Sequence, residues 1–112
     1  MLHEMKLQPN PFASIKRGEK DIEMRLNDEK RKRICVGDTI RFTNLETRET
    51  LLAVVLQKHE FPSFKELYQS FDKIRFGYKA EERATPEDMS QYYPEEEIAK
   101  SGVVGLEIQL LQ

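Results

Sequence analysis

The period of apolar positions changes several times along the chain, and each change marks an element. From Lys20 the order is strictly alternating: Ile22, Met24 and Leu26 fall on one face and Asp21, Glu23 and Arg25 on the other. That period of two predicts a half-buried strand whose charged face meets solvent. Before it, Asn10 reads as an N-cap and Pro11 as a first helical residue, with Phe12 and Ile15 forming one apolar stripe and Gly18 ending the helix. Asp28 to Arg33 reads as a charged connection. Val36-Gly37-Asp38 is a turn signal leading into a strand over Thr39–Thr43, with Ile40 and Phe42 pointing inward. A further strand starts near Thr50. Its run Leu51-Leu52-Ala53-Val54-Val55-Leu56 is apolar on both faces, which predicts a central strand covered on each side.

The second half brings helix signals. Ser63-Phe64-Lys65-Glu66 has the spacing of a capping box, with the helix continuing through Leu67 and Phe71, and Thr85-Pro86-Glu87-Asp88 repeats the start signal. Glu95-Glu96-Glu97 after Pro94 suits a first helical turn, where negative charge complements the helix dipole, and Gly102 ends that helix. In the last strand Val104, Leu106, Ile108 and Leu110 alternate with Gly105, Glu107, Gln109 and Leu111. Short strands interrupted by short helices, without a βαβα rhythm, define an α+β class built on a small curved sheet or barrel. Closing a barrel is also how so short a chain avoids exposed sheet edges.

Composition narrows this picture. A chain of 112 residues and 13.2 kDa is expected to form one domain over 1–112. At this length roughly 65% of the unfolded surface is buried on folding, so neither disulfide nor metal is needed for stability. The formal charge is −2, which excludes a globally basic nucleic-acid binder and leaves only a local patch for that role. Such an asymmetry exists: residues 16–33 carry eight cations and five anions, whereas residues 81–100 carry seven anions and two cations. Cys35 is the only cysteine, so no intrachain disulfide forms and a reducing cytoplasm is the expected compartment. No run approaches the ~18 consecutive apolar residues of a membrane span, and Met1-Leu2-His3-Glu4 is not the start of a signal peptide. A protein free of membrane contacts is expected; the oligomeric state is left open.

The densest polar constellation is Gly18-Glu19-Lys20-Asp21-Ile22-Glu23-Met24-Arg25, where the first helix hands over to a strand. Glu23 and Arg25 share a face, with Lys20 at the strand's mouth, so one carboxylate and two cations converge on a cleft suited to an anion or a nucleobase. The competing structural reading is the wet face of an amphipathic strand behind a helix-ending glycine.

The spacing Gly18-x-Lys20-x-x-Glu23-x-Arg25 resembles the signature of the ASCH domain, a small barrel related to the PUA domains of RNA-modifying proteins. Leu7 to Ile15 resembles that family's opening segment, Val36-Gly37-Asp38-Thr39-Ile40 its turn into the next strand, and Gly102 to Ile108 its closing strand. The resemblance implies a PUA-like β-barrel with short flanking helices, whose cleft binds RNA or a nucleotide-like ligand. By position, Lys20, Glu23 and Arg25 become the cleft residues. Lys20 is a mobile point charge for a phosphate or developing oxyanion, and Arg25 offers a planar fork to a carboxylate, phosphate or base edge. Glu23 orients either cation or accepts hydrogen bonds from a base; if fully paired with Arg25 it is a structural ion pair and not a catalyst.

One branch of the family resembles this chain in size and hydrolyses N4-acetylcytidine with a lysine, a threonine and a glutamate. The lysine matches Lys20. Glu23 occupies the threonine position, so no threonine nucleophile is available there. The remaining route to an amidohydrolase has Glu23 activating water and Lys20 stabilising the oxyanion. The distant glutamate falls on Glu87, Asp88 or Glu95, and the sequence does not choose among them.

Other candidates carry less. Lys30, Arg31, Lys32 and Arg33 form a run of four cations that would track a phosphate backbone, or else is simply solvated. Tyr68, Tyr78, Tyr92 and Tyr93 offer stacking surfaces, although with six phenylalanines most aromatics are expected to pack the core. His59 is expected in a loop after the central strand. Cys35, His3 and His59 show no ligand spacing, so no metal and no other cofactor is expected, and Cys35 has no adjacent base to make it a nucleophile. The acidic 81–100 segment alternatively suits a basic protein partner.

Overall fold

The structure, a computed structural model, describes residues 1–111. Five strands, β1 (Leu2–Leu7), β2 (Ile22–Leu26), β3 (Thr39–Asn44), β4 (Thr50–Phe61) and β5 (Val103–Leu110), form one mixed sheet in the order β1-β3-β4-β5-β2. The β1–β3 pair is parallel and every other pair antiparallel. The sheet curls into a half-barrel, so the barrel expected from the sequence is open along one side, where β1 and β2 are the edges. The helices are short: α1 (Pro9–Lys16), α2 (Glu29–Lys32), α3 (Phe64–Ser70), a 3-10 helix (Lys73–Phe76), α4 (Glu87–Ser90) and α5 (Glu95–Ser101).

Two apolar clusters hold these elements. Met5, Leu7, Phe12, Ile15, Ile40, Phe42, Val55 and Leu106 fill the half-barrel, closed at one end by α1. Ile22, Met24, Phe64, Leu67, Phe76 and Val103 form the second cluster, which the later helices cover. Gly105 lies where α3 meets the sheet: a Cβ there would stand 3.0 Å from Leu67 Cδ1 and 3.1 Å from Ile22 Cγ2. Gly102 ends α5 at φ 71°, ψ −171°, a conformation essentially reserved for glycine, with space for a Cβ blocked 2.8 Å away by the Phe61 carbonyl oxygen.

Several elements depart from the sequence reading. Strand β1 was not expected; His3, Met5 and Leu7 do point inward at period two, but a histidine at an inward position and parallel pairing without a hairpin conceal it. Helix α1 begins at Pro9 behind Gln8, not at Pro11 behind Asn10, because the first turn leaves its N–H groups unpaired and so tolerates both prolines. The connection after β2 contains α2, capped by the Asp28 carboxylate, which accepts from Arg31 N at 3.1 Å. The strand through Leu51–Leu56 is the central one, yet its outer face is open: Leu52 is 41% and Leu56 37% exposed. The helices after β4 gather on the second cluster and leave that face bare.

The hairpin between β3 and β4 turns through Asn44, whose side-chain oxygen accepts from Glu46 N and Thr47 N. It closes at Arg48, which adopts φ 68° and is the only non-glycine residue with positive φ among the described residues. That conformation costs about 1–2 kcal/mol for a residue bearing a Cβ.

Candidate functional site

Ile22 and Met24 bury themselves in the second cluster, which turns Glu23 and Arg25 to the opposite face of β2. That face does not meet solvent as the alternation predicts. Glu23 is buried, its side chain 4% exposed, with Lys20 and Arg25 at only 10% and 17%. The reason is geometric: β2 is an edge of the open half-barrel, and Arg25 spans the opening, its Nη2 donating to the Lys6 carbonyl on β1 at 2.9 Å. A side chain thus joins the two edges that backbone pairing leaves apart.

Glu23 holds both cations. Lys20 Nζ lies 2.9 Å from its Oε1 and Arg25 Nε donates to its Oε2 at 2.7 Å. Burial by itself pushes the Glu23 carboxyl up, but the Lys20 ammonium and the Arg25 guanidinium outweigh it and hold the group below the usual carboxylate range. Glu23 is therefore an anion with both oxygens engaged, which suits it to fixing cations and poorly to taking a proton from water. The Lys20 stem is fixed in turn by Gly77, at φ 102°, where a Cβ would sit 3.3 Å from Lys20 Cδ.

The array separates two concavities. On the Lys20 side is a cleft of about 230 Å³ walled by Pro11, Met24, Phe76, Gly77, Tyr78 and Met89, with Asn10, Ser14, Lys20 and Glu82 as its polar groups. This is below the ~300 Å³ at which drug-sized pockets begin, and its largely apolar walls suit one planar ring. On the Arg25 side a groove of about 630 Å³ is lined by Lys6, Arg25, Lys30, Arg31 and Arg48 together with Glu4, Met5 and Thr43.

The four-cation run divides. Lys30 and Arg31 reach the groove beside Arg25, while Lys32 and Arg33 are exposed and do not line it. Arg31 is partly engaged, its Nη1 donating to Asp28 Oδ2 at 3.0 Å. Among the three acids left open by the sequence, Glu87 and Glu95 line other hollows, and Asp88 approaches the Lys20 cleft only through Tyr78, whose hydroxyl donates to Asp88 Oδ2 at 2.7 Å. The acid that lines the cleft is Glu82, which the sequence reading did not single out; it stands in an irregular segment with no periodicity to place it. Lys6 and Arg48 were missed for the same reason: one sits on the unexpected strand and the other in a turn.

Of the tyrosines, Tyr68, Tyr78 and Tyr93 pack against the second cluster, and Tyr92 is 71% exposed. Tyr68 and Tyr78 share a hydroxyl contact of 2.8 Å. His59 lies within β4, not in a loop, because that strand continues past a bulge near Leu56. Its Nε2 is 2.9 Å from Glu107 Oε1, whose carboxylate also meets Arg75. Cys35 is exposed, and among the described residues no three His, Cys, Asp or Glu side chains are grouped to hold a metal ion. No helix among the described residues is long and apolar enough to cross a membrane.

A mixed five-strand half-barrel, with short helices on one side and a buried carboxylate bridging two cations across its opening, defines a small module carrying one charged cleft. The ASCH domain model matches residues 5–112, and the chain belongs to that family, which is PUA-like and proposed to bind RNA. The same fold occurs in the crystal structure of the hypothetical protein PH0355, at 35% identity and a TM-score of 0.83 over 99% of this chain and 100% of that one. It occurs also in the solution NMR structure of protein PF0455 from Pyrococcus furiosus, at 32% identity and a TM-score of 0.74 over 100% of this chain and 99% of that one. No curated protein matches this chain.

Proposed function

We propose that the chain binds single-stranded RNA, or a modified nucleoside within it, with one base in the Lys20 cleft and the adjoining backbone on the Arg25 side. The observation that carries this reading is the placement of Lys20, Glu23 and Arg25 between a cleft sized for one ring and a cationic groove. An unstacked base needs an apolar slot with a few polar groups, and its phosphates need cations within a few ångströms of that slot. Lys20 borders the apolar slot and Arg25 the cationic groove, and their shared carboxylate keeps the two side by side. Lys30 and Arg31 add backbone contacts; Lys32 and Arg33 act only at longer range. The exposed Cys35 suits a reducing cytoplasm.

Fluorescence anisotropy with a labelled 5′-hydroxyl RNA across a salt series tests this. With about three phosphate contacts, the log of affinity should fall against the log of salt with a slope near −2, given about 0.7 per contact for single strands. Lys30→Glu, at an exposed position, should weaken binding and flatten that slope. Absence of binding at low salt removes the proposal.

A hydrolase acting on N4-acetylcytidine or a related N-acyl substrate is the alternative use of the same cleft, supported by Lys20 on its wall. Glu23, with both oxygens engaged, is a poor base for it, which leaves Glu82 as the carboxylate on the cleft wall. Release of cytidine by the wild type and not by Lys20→Ala would establish it in place of simple binding.

A further inference from the structure

The groove beyond Arg25 gathers positive charge from four separate segments of the chain into one place. Lys6 from β1, Arg25 from β2, Lys30 and Arg31 from α2, and Arg48 from the β3–β4 hairpin face one hollow of about 630 Å³. The single anion there, Glu4, is turned to Arg41, whose Nη1 donates to its Oε2 at 2.7 Å. Among the described residues the side chains of Lys6, Lys30 and Arg48 have no hydrogen-bonding or ionic partner, and Arg31 Nε is buried without one. Unpaired like charges lining one hollow repel one another, so the free protein carries this cluster at a cost to its own stability.

Arg48 sharpens the point. It occupies the left-handed turn position that glycine or asparagine fills without strain, yet it carries the longest cationic side chain and extends it over the groove. A strained, non-glycine residue that adds repulsion is explained by a ligand that repays both. Successive phosphates of an extended strand carry one charge each and are spread along it; three unpaired cations around one hollow, beside Arg25 and Arg31 whose charges Glu23 and Asp28 already meet, match a compact charge of about three.

We propose that this groove is a binding site for an oligophosphate group, with Arg48 and Lys6 as specificity residues that distinguish it from a single phosphate. The inference shares Arg25, Lys30 and Arg31 with the RNA reading but does not need the base cleft. Two sources present the same chemistry, a free nucleoside triphosphate and the 5′-triphosphate end of an RNA.

The test is calorimetric titration with sodium tripolyphosphate and, separately, orthophosphate, alongside thermal melts. Tripolyphosphate should bind at least tenfold more tightly than orthophosphate and raise the melting temperature. Arg48→Gly should weaken tripolyphosphate binding at least fivefold while melting higher than wild type, a combination that a structural role for the arginine cannot produce. Lys6→Gln should also weaken it, and Arg83→Ala, which removes an equal charge elsewhere, should not. ATP competing as well as tripolyphosphate assigns the site to free nucleotides; a 5′-triphosphate RNA binding more tightly than its 5′-hydroxyl counterpart assigns it to RNA ends. Equal affinities for orthophosphate and tripolyphosphate, or full binding by Arg48→Gly, overturn the proposal. Because the RNA reading is tested with 5′-hydroxyl RNA, which has no oligophosphate, the two can fail separately.

Discussion

Replacing Glu23 by glutamine keeps the shape of the side chain and removes only its charge. In the folded protein this leaves Lys20 and Arg25, both more than four-fifths buried, facing an amide. Breaking a buried ion pair from one side costs about 3–5 kcal/mol, because the partner charge stays desolvated. Glutamine still accepts one hydrogen bond from Arg25 Nε, so the lower figure, about 3 kcal/mol, is expected. Against a total stability of about 5–15 kcal/mol that is a large fraction. At this chain length it corresponds to a fall in melting temperature of about 12 °C. The assay is a urea or thermal melt of Glu23→Gln beside wild type from pH 7 downward. Since the folded state holds the Glu23 carboxyl below its ordinary value, its contribution is present above the unfolded pKa and is lost as pH falls through the folded one. The difference between the two proteins should therefore be constant near neutrality and close only under acid conditions, below about pH 4.3. Replacing all three charges together (Lys20→Met, Glu23→Leu, Arg25→Met) should cost less than Glu23→Gln alone, because no buried charge is left unpaired. A single variant as stable as wild type at pH 7, or a difference that persists unchanged in acid, would refute the account of Glu23 as the anion that holds the site together.

Two further outcomes follow from other parts of the structure. Gly102→Ala should lower the urea midpoint by more than Gly18→Ala: both glycines have positive φ and share a backbone strain of about 1–3 kcal/mol, but only at Gly102 does the added Cβ meet an atom, the Phe61 carbonyl oxygen at 2.8 Å, while Gly18 has open space around it. Equal effects at the two glycines would show that the contact with Phe61 is irrelevant. Burial, the Tyr68 hydroxyl and the Asp88 carboxylate together push the Tyr78 phenol far above its ordinary value. Alkaline titration followed by near-ultraviolet absorbance should accordingly give the same tyrosinate signal to about pH 10 for wild type and Tyr78→Phe. Because Tyr68 is raised as well, a variant that has lost about a third of that signal contradicts the buried hydrogen-bonded placement.

Much of the architecture is legible in the amino-acid order, and the exceptions have physical reasons. Strands β2, β3, β4 and β5 and the helices at Phe12, Phe64, Glu87 and Glu95 announce themselves because each needs one apolar face and a start or stop residue. Strand β1 does not, since its pattern is short and its partner β3 lies 37 positions away with no turn between them. For the site, Gly18, Lys20, Glu23 and Arg25 are visible as a motif, yet alternation assigns Glu23 to solvent. A period of two says which residues share a face, not what that face meets. Here it meets the opening of a half-barrel, which is a property of strand order. Lys6, Arg48 and Glu82 come to the two concavities through a parallel pairing, a strained turn and an irregular segment, none of which has a local signature.

The strand order also dictates when the site comes into being. Strand β2, with Glu23 and Arg25, touches the rest of the sheet only through β5, some 80 residues later, while Lys6 is anchored through β3. The Arg25–Lys6 bond thus joins the two segments that the sheet relates most remotely, and all four strand pairings lie between its ends. During synthesis, a chain that has emerged as far as β4 has the cations but not their alignment. Until Val103–Leu110 docks, β2 has no place in the sheet, and the proposed anion site has its cations without their arrangement.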